Sequence, residues 1–131
     1  MILSFSKEKF IERIKSGTKI HTIREDKHLR WKVGRPIQFW YGNPRNVKNN
    51  PYQFGIGEVN RIDGIFINPF ADIVTITPNE DNSVHAYSLC DKHSLLDIAL
   101  DDGFDSWADM KTWFNEPFGG RLLYWTNFKT V

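Results

Sequence analysis

Phe10, Ile11 and Ile14 fall on one stripe of a helix over residues 7–16, with Ser6 placed to cap its start and Gly17 to stop it. The period then changes. Residues 20–24 alternate, so that Ile20, Thr22 and Arg24 share one face of a strand while His21 and Ile23 share the other. Lys19 and Thr22, three apart, would point opposite ways on a regular strand; both line one site only if Lys19 lies in a turn ahead of it or a bulge re-aims it. Gly17 makes such a turn easy.

Gly34-Arg35-Pro36 marks a turn before a mostly buried strand at 37–41. Residues 42–53, rich in Gly, Asn and Pro, carry no apolar period and read as a surface loop or a binding flap. A long alternating strand over 54–62 leads to Asp63-Gly64, the strongest hairpin signal in the chain, and Ile65 to Ile67 follow it. Residues 72–77 predict another strand. Ser94-Leu95-Leu96-Asp97 and Ser106-Trp107-Ala108-Asp109 have capping-box spacing and each open a helix. The first runs through Leu100 and ends at Gly103; the second carries Trp107, Met110, Trp113 and Phe114 as core or lid. Gly119-Gly120 turns into a last strand at 122–125. About six mostly antiparallel strands, with helices at the N-terminus and late in the chain, predict an α+β fold built on a small sheet or barrel.

The length of 131 residues fits a single domain over 1–131. The lone cysteine, Cys90, excludes an internal disulfide and fits a reducing compartment. With no apolar run of signal-peptide or membrane-spanning character, the expectation is a soluble cytoplasmic protein without a membrane partner. Charge alters the picture more. Residues 1–50 hold twelve Lys or Arg against four Asp or Glu, and residues 51–131 hold five against twelve. A basic half is joined to an acidic half, either as a positive face beside an acidic rim or as charges that neutralise each other across the fold.

The candidate chemistry lies in the basic half. Lys19, His21, Thr22 and Arg24 place an amine, an imidazole, a hydroxyl and a guanidinium in one short stretch. Arg24 suits a phosphate or a base edge, or a structural ion pair with a late carboxylate. Lys27, His28, Arg30 and Lys32 interleave with Trp31, a pattern that suits single-stranded nucleic acid through backbone-tracking cations and a stacking indole; a solvated loop anchored by one tryptophan is the more frequent meaning of such a run. His85, Cys90 and His93 fall far short of a zinc pattern, so neither metal nor cofactor is expected. No Gly-rich phosphate loop and no Gly-x-Ser-x-Gly elbow occurs.

Four stretches in order resemble the ASCH domain of the PUA-like superfamily: Gly17-x-Lys19-x-x-Thr22-Ile23-Arg24, Trp31-Lys32-Val33-Gly34, Ala99-x-x-Asp102-Gly103-Phe104-x-Ser106, and an apolar strand ending in Trp125. The resemblance implies a small, mostly closed β-barrel with helices at its mouth and a cleft facing RNA or a modified nucleoside. It also implies an amidohydrolase acting on N4-acetylcytidine, a ribonuclease or a non-catalytic reader of RNA. In the amidohydrolase pattern the reactive lysine and threonine are here Lys19 and Thr22, and the acidic partner falls on Asp102. The family carries Glu there, one methylene longer. On these terms Thr22 is the nucleophile, Asp102 orients Lys19 or water, and Lys19 is either a base or, as preferred here, a donor to an oxyanion or phosphate. A protein adaptor whose basic half docks an acidic partner is a further option.

Overall fold

The computed structural model describes residues 1–78, 85–88 and 92–131, with backbone alone for 92–94. In chain order the elements are β1 (Ile2–Phe5), α1 (Glu8–Ser16), β2 (His21–Arg24), β3 (Pro36–Tyr41), β4 (Tyr52–Asn68), β5 (Ile73–Thr77), β6 (His85–Ser88), α2 (Lys92–Asp101), α3 (Trp107–Trp113) and β7 (Phe118–Thr130). The fold is α+β, with seven strands in one mixed sheet and three helices.

β4 is the spine. One of its edges bonds β7 from Gly55 to Ile67; the other is shared by β3 over its first half and β5 over its second. β7 in turn carries β2 on its far side, and β1 extends the sheet by pairing parallel to β3. All other ladders are antiparallel, as expected. The sheet does not close into the expected barrel: among the described residues no ladder joins β2 to β6 or β1 to β2. The core packs Leu3 and Phe5, the α1 stripe of Phe10, Ile11 and Ile14, and Ile37, Phe39 and Ile67 from the sheet. Removing a ring such as Phe39 from this core would cost about 3–5 kcal/mol.

Several expectations need correction. Asp63-Gly64 is no turn: the strand runs through it, with Gly64 paired to both Thr77 and Arg121. The chain reverses at Pro69–Asp72 instead, where Asn68 Oδ1 accepts from the amides of Phe70 and Ala71. Asp63 is buried and takes the Arg61 Nε–H at 3.0 Å, so its carboxylate has a partner inside the strand. Gly119-Gly120 also lies within a strand; a Cβ at Gly120 would sit 2.6 Å from the Arg24 carbonyl oxygen, and that close approach is why glycine stands there. Ser6 does not cap α1, whose N-cap is Lys7 without a side-chain bond. Ser106 does cap α3, accepting from the Asp109 amide at 3.1 Å. α2 begins at Lys92, ahead of the expected Ser94. β1 and β6 were not anticipated.

Candidate functional site

The backbone brings two distant segments together. The chain leaves α1 through Gly17, and the amides of Thr18 and Lys19 both bond back to the Arg13 carbonyl at 2.9 Å. The next amide, Ile20 N–H, donates to the Asp101 carbonyl at 2.8 Å, which ties the entry to β2 to the end of α2. Arg13 clamps the same turn from the helix side, bonding the Gly103 carbonyl and pairing with Asp105. Lys19 therefore precedes the strand, the first of the two arrangements that let it share a site with Thr22. Its stem lies against Gly103, where φ is +94° and a Cβ would come within 2.9 Å of both Lys19 Cδ and Phe10 Cδ1.

Lys19 is 2% exposed and Asp102 3%. The Lys19 ammonium donates to the His21 carbonyl at 2.8 Å and to the Asp102 carbonyl, and lies 3.4 Å from Asp102 Oδ1. Two carbonyls thus accept from it, and the carboxylate supplies its counter-charge. Burial pulls Lys19 down to about 8, opposed by the neighbouring Asp102 carboxylate and reinforced by Arg24. Asp102 Oδ1 is also 3.0 Å from His21 Nδ1. An ionised carboxylate only accepts, so Nδ1 carries the proton. Lys19, Asp102 and His21 form a buried chain of charge and hydrogen bonds that crosses from one face of β2 to the other.

On one face lies a cleft of about 520 Å³ that Lys19, Thr22, Arg24 and Asp102 all line. Its walls are aromatic: Phe5 from β1, Phe10 from α1, Phe104, Trp113 and Phe114 from the helix pair, and Phe118 from β7. The rings touch in series, with Phe10 and Phe104 at 5.4 Å between centroids, Phe10 and Trp113 at 5.6 Å, and Phe114 and Phe118 at 5.2 Å. Trp113 stands 48% exposed at the rim, whereas Trp107 and Met110 belong to the core. Gly42 and Asn43 bring the start of the 42–53 loop to the same cleft.

On the other face His21 packs edge-on against Tyr124 at 5.0 Å and borders a smaller cleft of about 250 Å³ with Asp97, Asp101 and Tyr87. Burial raises Asp101 above its usual range, and burial followed by the nearby Asp63 pushes Tyr124 up to about 12. His21, a candidate for ligand binding, does not line the cleft of Thr22 and Arg24; it lies on the opposite face of β2 and bonds Asp102. A buried imidazole on the inner face of a strand requires a hydrogen-bond partner, and that requirement was the available signal.

The remaining candidates separate from the cleft. Lys27, Arg30 and Lys32 are exposed on the loop after β2. Trp31 is 6% exposed and part of the core, so the open stacking face expected of it is not there. The loop is wound about Asp26, whose carboxylate accepts from the amides of Arg30 at 2.8 Å and Trp31 at 3.0 Å and from Arg121 at 2.6 Å. The sequence reading missed Asp26 and, of the aromatic wall, Phe104 and Phe118; Trp113 and Phe114 it had as core or lid. Cys90 and the His93 side chain lie outside the described residues. Among the described residues no helix is long and apolar enough to cross a membrane.

No family model, no curated protein and no solved structure matches this chain, so what the cleft can do follows from its own atoms.

Proposed function

We propose that the chain is an ASCH-type domain of the PUA-like superfamily whose cleft binds a nucleobase, presented by a modified nucleoside or by RNA. One observation carries this reading: Lys19, Thr22, Arg24 and Asp102 converge at a cleft of about 520 Å³ whose walls are aromatic rings. Flat apolar walls with a few convergent polar groups suit a heteroaromatic ligand, and the volume is in the range of small-molecule sites. Incubating the protein with a panel of modified nucleosides and measuring retention and conversion by mass spectrometry tests it. Retention or conversion of at least one nucleoside, lost in Lys19→Ala, is the expected result. A protein that neither retains nor converts any of them overturns the reading.

A second reading, hydrolysis of an acyl-amide on the base, is favoured by the lowering of Lys19 to about 8, which makes a neutral amine available in mildly alkaline solution. The Lys19 amine would swing from the His21 carbonyl to take the Thr22 proton while Thr22 Oγ attacks the amide carbon. The ammonium so formed would protonate the departing base nitrogen, and water would then hydrolyse the threonine ester. No hydrogen bond joins Lys19 to Thr22 in the resting site, where the His21 and Asp102 carbonyls hold the side-chain nitrogen. Turnover of N4-acetylcytidine is expected to rise as pH passes about 8 if Lys19 is the base, and to fall over the same range if its ammonium steadies an oxyanion. Unchanged turnover in both Lys19→Ala and Thr22→Ala would remove hydrolysis by these residues.

A further inference from the structure

Two cations line the cleft, and they are not held alike. Lys19 donates to two carbonyls and has the Asp102 carboxylate as its counter-charge. Arg24, on the same wall, donates through Nη2 to the Ser4 carbonyl at 2.8 Å, and its guanidinium carbon lies 5.0 Å from the centre of the Phe5 ring. Its Nε is buried without a hydrogen-bond partner. A guanidinium offers five N–H donors in a rigid fork, so most of its capacity is unspent.

Neither carboxylate of the cleft repairs this. Asp102 Oδ1 is shared by Lys19 and His21. Glu25 lines the cleft but is exposed to solvent. Among the described residues no carboxylate forms an ion pair with Arg24. Burial, opposed by the more distant Asp102, draws the guanidinium below its usual value, the mark of a cation taken out of water without full compensation. A site that holds a planar, under-bonded cation over a ring, beside a cavity, is complementary to a planar or tetrahedral oxyanion.

We propose that Arg24 is an anion subsite of this cleft and that its ligand carries a phosphate there, so that the cleft prefers a nucleotide or a phosphodiester of RNA to the corresponding neutral nucleoside. This rests on the nucleobase reading of the cleft. Phosphate is the anion that accompanies a base, and the fork beside the aromatic walls places the two recognitions in one cavity.

The test uses the full chain in a phosphate-free buffer at low salt, with calorimetry for affinity and the Arg24 Nε–H nitrogen resonance as the local readout. The probes are inorganic phosphate, the four common ribonucleosides, their 5′-monophosphates and tetrauridylate. The expected result is that at least one monophosphate binds about tenfold or more tightly than its nucleoside and shifts the Arg24 resonance. Arg24→Gln should erase that preference, and Arg24→Lys, which keeps charge but not the fork, should retain only part of it. Amide dispersion shows whether each variant is folded, and the lysine variant stands in if the glutamine variant is not.

Equal affinity for nucleoside and monophosphate, or a preference that survives in a folded Arg24→Gln, overturns the subsite and leaves the nucleobase reading intact. Inorganic phosphate that shifts Arg24 while no nucleoside or nucleotide binds leaves the subsite and removes the nucleobase reading. No response of Arg24 to any probe overturns the subsite. Tetrauridylate binding more tightly than uridine monophosphate identifies RNA as the phosphate's source, and equal binding identifies a mononucleotide; both support the subsite.

Discussion

Residues 19–24 and residues 25–35 carry the same kinds of side chain, and the fold uses them in opposite ways. In the first stretch Lys19, His21 and Thr22 are buried, and Arg24 is half-buried against Phe5. In the second, Lys27, His28, Arg30 and Lys32 stand in solvent around a loop fixed by Asp26. Desolvation separates the two. A buried ammonium must have a carboxylate and further acceptors, which Asp102 in the turn after α2 and the His21 carbonyl supply; a solvated ammonium needs nothing. Charge density along a sequence therefore says little about which cations make a site, and partnership in the fold says much.

The largest break in this contrast is Asp102→Asn. It removes the carboxylate that Lys19 and His21 share and leaves a buried ammonium without its counter-charge, so chemical denaturation should show a loss of about 3–5 kcal/mol. An effect below about 1 kcal/mol would mean that the chain of contacts is incidental.

The second test is pH. Lys19 is held at about 8 in the folded protein against an ordinary 10.5, so between those values the unfolded chain binds a proton that the native protein has released. Stability then rises with pH, at most by about 1.4 kcal/mol per unit, and Lys19→Met should flatten the rise. Tyr124, pushed up to about 12, acts in reverse above its ordinary 10.0, because the native phenol keeps a proton that the unfolded one has lost. Urea midpoints compared between pH 8 and 10 isolate the lysine; equal slopes for wild type and Lys19→Met would rule out its burial as the cause.

The smallest effect belongs to the loop. Lys27→Gln, Arg30→Gln and Lys32→Gln should each alter stability by less than about 0.5 kcal/mol. If RNA lies along this loop, each should reduce the slope of log affinity against log salt by roughly one. Binding that is insensitive to salt and to all three would remove the loop from any nucleic-acid surface.

How far the sequence could be read follows the same line between local and distant forces. The α1 stripe, the Ser106 cap and the existence of strands β2 and β3 are set by neighbours along the chain, and each was legible; burial was not, since β2 is buried on both faces from His21 to Ile23 and β3 alternates instead of being mostly buried. Asp63-Gly64 misled because its local chemistry is that of a turn, whereas pairing to β5 and β7 on both edges holds it extended. β1 was missed because four residues are too few to display a period. Lys19, Thr22 and Asp102 were grouped by resemblance and do line one cleft. The bond from His21 to Asp102, 81 residues away, had no local signature beyond an inward-facing imidazole.

Trp113 gives the cleft a built-in optical probe. Of the five tryptophans it alone is exposed; Trp31 and Trp107 are buried, and Trp40 and Trp125 are half-covered. Its indole abuts Phe10 and Phe104 at the rim, so a stacked occupant would quench its emission while the other four indoles stay silent. Replacing Trp113 by phenylalanine would supply the matched blank, and occupancy becomes visible without a label.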